Sequence, residues 1–129
     1  MKDTVYEDMF RSEDIFWWHR GMQRISQVFL EQFLTNKKNN QLLDVGCGTG
    51  GMFNLLASYG TVIGIDASPL GVSYARKRGI AEVLEGDVVK LPFADAVFDV
   101  VVCYDVIYHQ AVKDDVQVLK ECYRVLKPG

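Results

Sequence analysis

The residues best suited to chemistry lie in one short run, Leu42-Leu43-Asp44-Val45-Gly46-Cys47-Gly48-Thr49-Gly50. An apolar strand pattern ends in an acid, glycines follow at every second position, and a helical pattern comes next. Glycine allows backbone angles closed to other residues and has no side chain to hold a ligand away. Such a loop can lie against a small polar ligand, in the crevice beyond the carboxyl ends of an open α/β sheet. Asp66 closes the next β-branched run, Val62-Ile63-Gly64-Ile65-Asp66. It follows the loop by roughly the ~20 residues expected of an acid that binds ribose hydroxyls. A carboxylate there can accept from both hydroxyls in charge-assisted bonds. Each feature also has a plain structural role. The glycines could serve only as a tight strand-to-helix turn, and Asp66 could help cap the helix that opens at Ser68.

A second group of polar residues, Tyr104-Asp105 and Tyr108-His109, follows the apolar run Val100-Val101-Val102-Cys103. His109 is the candidate general base, because its intrinsic pKa suits proton transfer near neutrality. Tyr104, Asp105 and Tyr108 are its rivals, and a loop histidine without a role is the alternative. The three cysteines, Cys47, Cys103 and Cys122, form no C-x-x-C pair. That spacing argues against a zinc site or a disulfide framework and for a reducing, cytoplasmic compartment. No metal site is expected.

These residues need elements to hold them. Met22, Ile25, Phe29 and Phe33 recur at helical spacing and predict a helix over 14–38. Strands are predicted over 42–46, 61–65, 80–84 and 97–103, the last buried on both faces. Helices are predicted over 49–59 with Gly60 as the stop, from Ser68-Pro69 to near Gly79, and over 113–126. Residues 86–96 read as a loop. Strands alternating with helices imply a doubly wound parallel sheet with crossover helices, an α/β Rossmann-like fold. The division is an N-terminal helical arm, 1–39, and a ligand-binding core, 40–129.

With 129 residues, 49% hydrophobic and 24% charged, the chain has an ordinary globular composition for one domain. A net charge of −3 argues against a general nucleic-acid binder, which needs a basic surface. No apolar run approaches membrane-spanning length, and the polar start is unlike a signal peptide.

The run at 42–50 resembles motif I of the class I S-adenosylmethionine-dependent methyltransferases. Gly86-Asp87-Val88, Leu91-Pro92-Phe93 and Arg124-Val125-Leu126-Lys127-Pro128-Gly129 resemble further motifs of that family, in the same chain order. The resemblance covers about residues 40–129. It implies S-adenosylmethionine as cofactor and methyl transfer to a small-molecule or glycan-type acceptor. It also implies roles for single residues. Asp66, with Ala67 beside it, would hold the ribose. Asp87 would accept from the adenine amino group, and the backbone N–H of Val88 would reach the ring; a surface turn is the alternative for Asp87. The loop Gly46, Cys47, Gly48 and Gly50 would carry the amino-acid part. Asp44 and the carbonyls of Gly46 and Cys103 would accept from its ammonium. Glu13-Asp14-Ile15-Phe16-Trp17-Trp18-His19-Arg20 resembles an opening found in bacterial members. There Arg20 could pair with the methionine carboxylate or with Glu13 or Asp14, and the tryptophans could cover the cleft or pack the arm.

The family continues where this sequence stops, so the expectation is a fragment of a longer protein, or else a chain whose missing half another chain supplies, with the substrate half absent. The fourth strand would form a sheet edge open to self-association. Two other functions stay open. One is a non-catalytic cofactor-binding or partner subunit. The other is a nicotinamide-dependent oxidoreductase, disfavoured because G-x-G-x-G differs from the dinucleotide fingerprint G-x-G-x-x-G.

Overall fold

The computed structural model describes residues 3–12, 17–104 and 115–128. In chain order the elements are α1 (Asp3–Ser12), α2 (Trp17–Phe33), β1 (Asn40–Val45), α3 (Phe53–Ala57), β2 (Gly60–Asp66), α4 (Pro69–Lys77), β3 (Glu82–Glu85), β4 (Val100–Val102) and α5 (Asp115–Val125). The strands form one sheet in the order β3-β2-β1-β4, with all three pairings parallel. The order reverses between β1 and β4, which is the switch point where such sheets bind ligands. The expected doubly wound parallel sheet is present.

Two apolar clusters flank the sheet. Leu42 and Val62 pack with Leu30, Phe53, Leu56, Val72 and Ala75 from α2, α3 and α4. Leu43, Val45 and Ile65 pack with Val88, Leu91, Phe98, Val118 and Val125. Successive β1 side chains alternate between the clusters, as the strand period requires. Asp44 falls on the Leu42 side of that alternation and is only 2% exposed.

Several predicted boundaries move, each for a local reason. α1 is an additional helix that the polar start did not announce. Its Tyr6 is buried against Gly71 of α4, where an added Cβ would lie 3.1 Å from the ring. α2 ends at Phe33 rather than at residue 38. The Lys37 ammonium folds back to donate to the carbonyls of Leu30 and Glu31, closing the last turn. The helix after the glycine loop is confined to Phe53–Ala57, because Gly50 has φ 82°, outside helical geometry. Gly60 starts β2 rather than stopping that helix. A Cβ there would sit 1.9 Å from the Asn40 carbonyl oxygen, so only glycine permits this strand pairing. β3 begins at Glu82, two residues late. β4 narrows to Val100–Val102 and is half-buried rather than buried on both faces, since among the described residues it pairs with β1 alone. The start of α4 forms as expected, with Pro69 in the first turn and the Ser68 hydroxyl accepting from Gly71 N at 3.2 Å.

Candidate functional site

The turns after β1, β2 and β3 form one hydrogen-bonded rim. Gly46 N and Cys47 N both donate to the Ile65 carbonyl, at 2.7 and 3.0 Å, tying the glycine loop to the end of β2. Gly48 N donates to Asp66 Oδ2 at 2.8 Å, and Ser68 N donates to Asp66 Oδ1 at 2.9 Å. Gly86 N donates to the Asp66 carbonyl at 3.0 Å, drawing the third turn alongside the second. Asp66 thus does serve the start of α4, and it also fixes the glycine loop. A carboxylate has about four acceptor positions. Two are used by these amides, which leaves capacity for two more donors.

The loop itself needs its glycines. Gly46, Gly48 and Gly50 adopt φ of 70°, 54° and 82°. At Gly50 a Cβ would also meet the Phe53 ring at 2.5 Å. From behind, Arg78 Nε donates to the Thr49 carbonyl at 2.6 Å, while its guanidinium lies over the Phe10 ring of α1.

The third turn is held differently. Asp87 is exposed, and its Oδ1 accepts from Val89 N at 3.0 Å in a local turn. Val88 and Leu91 are buried. What fixes this loop comes from α5. Leu91 N donates to Glu121 Oε1 at 2.8 Å, and Arg124 donates to the carbonyls of Phe93 at 2.7 Å and Leu91 at 3.1 Å. Arg124 also pairs with Glu121 at 2.6 Å and with Asp95 at 2.8 Å. The guanidinium and the Leu91 amide hold the Glu121 carboxyl below its ordinary range, so it stays ionised although buried. This staple was not assigned a role from sequence. Its signal was available: Glu121 interrupts the otherwise apolar stripe of Val118, Cys122 and Val125.

The fourth strand end lies beside β1, with Asp44 opposite Val102. Cys103 is half-buried there. The Tyr104 hydroxyl hydrogen-bonds the Ser26 hydroxyl of α2, and burial pushes the phenol pKa up. Tyr104 therefore stays protonated at neutral pH, which counts against it as a base. His109, Asp105 and Tyr108 lie outside the described residues, as do Glu13 to Phe16. The side chains of Trp17, Trp18 and His19 are likewise not described.

The arm reaches the loop through Gln23, whose amide donates to the Gly51 carbonyl at 3.0 Å. Arg20 is exposed one turn earlier and lines a groove of about 470 Å³ with Gln23, Arg24, Gln27, Asn54 and Leu55. Ala67 is exposed at the rim beside Asp66. The structure therefore gathers Asp44, the glycine loop, Asp66, Ala67, Asp87, Val88 and Cys103 at one end of the sheet. Arg20 stands on the α3 flank.

The chemistry of this rim fits the cofactor implied by the sequence. S-adenosylmethionine presents donors at its ammonium, ribose hydroxyls and adenine amino group. Asp44, Asp66 and Asp87 are acceptors associated with three adjacent strands, β1, β2 and β3, spanning roughly 10 Å at the usual strand spacing. Carboxylates also suit a cationic sulfonium ligand better than a phosphate-bearing one, which needs free amides or cations.

Comparison with known proteins agrees. Residues 43–129 match the family model described as a methyltransferase domain. The 24-methylenesterol C-methyltransferase 2 of Oryza sativa is 35% identical over 120 residues, covering 86% of this chain and 32% of that protein. The mouse protein named "Probable tRNA methyltransferase 9B" is 38% identical over 102 residues, covering 78% and 22%. A crystal structure from Methanococcus maripaludis, of a candidate S-adenosyl-L-methionine-dependent methyltransferase, superposes with a TM-score of 0.84. It covers 99% of this chain and 60% of that one at 20% identity, a likeness of fold. The chain spans about a third or less of these two sequence relatives. By the family match and the shared fold, the chain belongs to the methyltransferase domain family, whose cofactor is S-adenosylmethionine.

Proposed function

We propose that the protein is an S-adenosylmethionine-dependent methyltransferase that acts on a small-molecule or glycan-type acceptor. The observation that carries the reading is the row of acids across β1, β2 and β3, joined by the hydrogen bonds from Gly48 and Gly86 to Asp66. When bound, the cofactor supplies a methyl group already activated on a sulfonium. The protein's own residues then bind, orient, exclude water and accept a proton. Asp66, beside Ala67, accepts from the ribose hydroxyls with the lone pairs its two amides leave free. Asp87 accepts from the adenine amino group, while Val88 offers its N–H to the ring and, with Leu91, an apolar wall. Asp44 and the carbonyls of Gly46 and Cys103 accept from the ammonium. Gly46, Cys47, Gly48 and Gly50 let the backbone approach the amino-acid part, and Arg20 pairs with its carboxylate. His109 takes the proton from an acceptor hydroxyl or amine.

A net charge of −3 favours an uncharged or small acceptor over nucleic acid. The mouse relative's name makes tRNA the competing class, to be separated by assay. We read 1–39 as an arm over the 40–129 core, working in the cytoplasm. The edge of β4 that pairs with no strand among the described residues would support self-association. Sedimentation at rising concentration checks that point: a dimer is expected, and a monomer throughout would refute it.

Titration calorimetry tests the cofactor reading. S-adenosylhomocysteine should bind at one site per chain, and NAD should give no heat. The opposite pattern would replace this function with nicotinamide chemistry.

A further inference from the structure

Arg78 closes the C-terminal end of α4 and is half-buried. Its Nε donates to the Thr49 carbonyl at 2.6 Å. Thr49 is fully buried and stands between Gly48 and Gly50, both at positive φ. The peptide joining Thr49 to Gly50 is held on both sides, since Gly50 N donates to the Cys47 carbonyl at 3.0 Å. The same guanidinium lies over the Phe10 ring of α1, 4.8 Å from its centroid, and its Nη2 donates to the Phe10 carbonyl at 3.5 Å. Phe10 in turn packs on Tyr74 of α4, with ring centroids 5.2 Å apart. A second close approach runs beside this one. A Cβ on Gly71 would lie 3.1 Å from the Tyr6 ring of α1 and 3.5 Å from the Gly48 carbonyl oxygen. A guanidinium has donors along its edge and a flat face, so it can hold a carbonyl and a ring at once. One planar cation thus ties the glycine loop to α1.

With the glycine loop read, as above, as the cofactor's site, we propose that Arg78 is a positioning residue that couples the docking of α1 to the shape of that loop. While α1 is docked, Phe10 fixes the plane of the guanidinium, and the edge of the guanidinium fixes the Thr49–Gly50 peptide. When α1 lifts, the guanidinium turns toward water and its hold on Thr49 weakens. The loop then visits shapes that receive the cofactor less well. Bound cofactor favours the single loop shape, and through Arg78 it favours docked α1. Coupling between two equilibria is reciprocal, so each strengthens the other by the same factor. A partly exposed cation–π contact sets that factor at about threefold.

The test joins calorimetry with S-adenosylhomocysteine to hydrogen exchange of residues 3–12, both on the full chain. In the parent, saturating ligand should slow exchange in α1 about threefold. Phe10→Ala should bind the ligand about threefold more weakly and lose that slowing. Arg78→Ala should bind about tenfold more weakly, because the bond to Thr49 goes as well. Arg78→Lys keeps a donor for the Thr49 carbonyl without the flat face on Phe10, so it should bind like Phe10→Ala. The double variant, Phe10→Ala with Arg78→Ala, should bind no worse than Arg78→Ala alone. Parental affinity in Phe10→Ala, losses that multiply in the double variant, or α1 exchange that ignores ligand in a parent that binds it would each overturn the coupling alone. So would an Arg78→Ala chain that melts earlier yet keeps the ligand-dependent slowing, since Arg78 would then serve only the fold. A parent that binds no S-adenosylhomocysteine would remove the cofactor reading of the loop, and the coupling with it.

Discussion

Asp66 and Asp87 follow neighbouring strands at the same end of the sheet, yet they are held in opposite ways. Asp66 is fixed directly. Two backbone amides, from Gly48 and Ser68, close on its carboxylate. Asp87 is exposed, its carboxylate accepting a turn bond from Val89 N, and its loop is set from a distance by Glu121 and Arg124 of α5. The first acid is thus pre-organised by direct bonds, one from its own turn and one from the glycine loop. The second borrows its order from another element. A site built this way should lose much at once when Asp66 changes, and lose by degrees when the Asp87 loop is loosened.

The largest expected effect follows from Asp66→Ala. If Asp66 holds the ribose as proposed, the change removes two charge-assisted bonds, each ~1.5 kcal/mol, which corresponds to about a hundredfold in affinity for S-adenosylhomocysteine. It also orphans the Gly48 and Ser68 amides, so the melting temperature should fall. Next is Glu121→Ala. The buried Leu91 amide loses its acceptor, at a cost of ~1–3 kcal/mol. Cofactor affinity should fall about tenfold by way of the loop, read by calorimetry alongside thermal melting. If melting drops and affinity holds, the staple supports the fold but not the Asp87 loop.

The same staple gives a pH dependence. The folded pKa of Glu121 is lowered, first by Arg124. Its contribution is therefore complete above the ordinary glutamate pKa of about 4.3 and is lost as pH falls through the lower folded value. The Glu121→Ala chain should show less of this acid-side loss of melting temperature than the parent. At the other extreme, Tyr59 is raised to about 12 by burial, with Glu31 adding to the shift. A raised value means that its contribution is present below the ordinary tyrosine pKa and disappears as pH climbs past about 12.

Asp87→Asn should have a smaller effect. Asparagine keeps the turn bond to Val89 but exchanges a pure acceptor for a group that can also donate. Affinity for S-adenosylhomocysteine should drop about threefold to tenfold, as expected for one charged bond replaced by a neutral one. The inosine analogue, which bears an oxygen in place of the amino group, should bind the variant better than it binds the parent. Equal ratios would remove Asp87 from adenine recognition. Tyr104→Phe should be the mildest, costing ~1 kcal/mol of stability through the lost contact to Ser26, with cofactor affinity unchanged.

The same contrast explains what was legible in the sequence. The glycine loop, Asp66 and the Ser68 cap are local signals: residue types at fixed short spacings that demand one backbone path. The parallel sheet followed from the strand–helix alternation. Glu121 and Arg124 act on residues about thirty positions away, such as Leu91 and Phe93, and no local pattern states such a pairing. Gly60 shows the same limit. Read alone it is a helix stop, and only the pairing with Asn40 reveals a strand start with no room for a Cβ. α1 was missed because its anchoring comes from tertiary contacts, Tyr6 against Gly71 and Phe10 against Tyr74.

The most direct test is a two-by-two titration: S-adenosylhomocysteine and its 2′,3′-dideoxy analogue, each into the parent chain and into Asp66→Ala. If Asp66 holds the ribose, the parent should prefer the hydroxylated ligand by about a hundredfold, and the variant should bind both alike. A preference that survives in the variant, or a parent that never shows one, would contradict the assignment of this rim as the cofactor site.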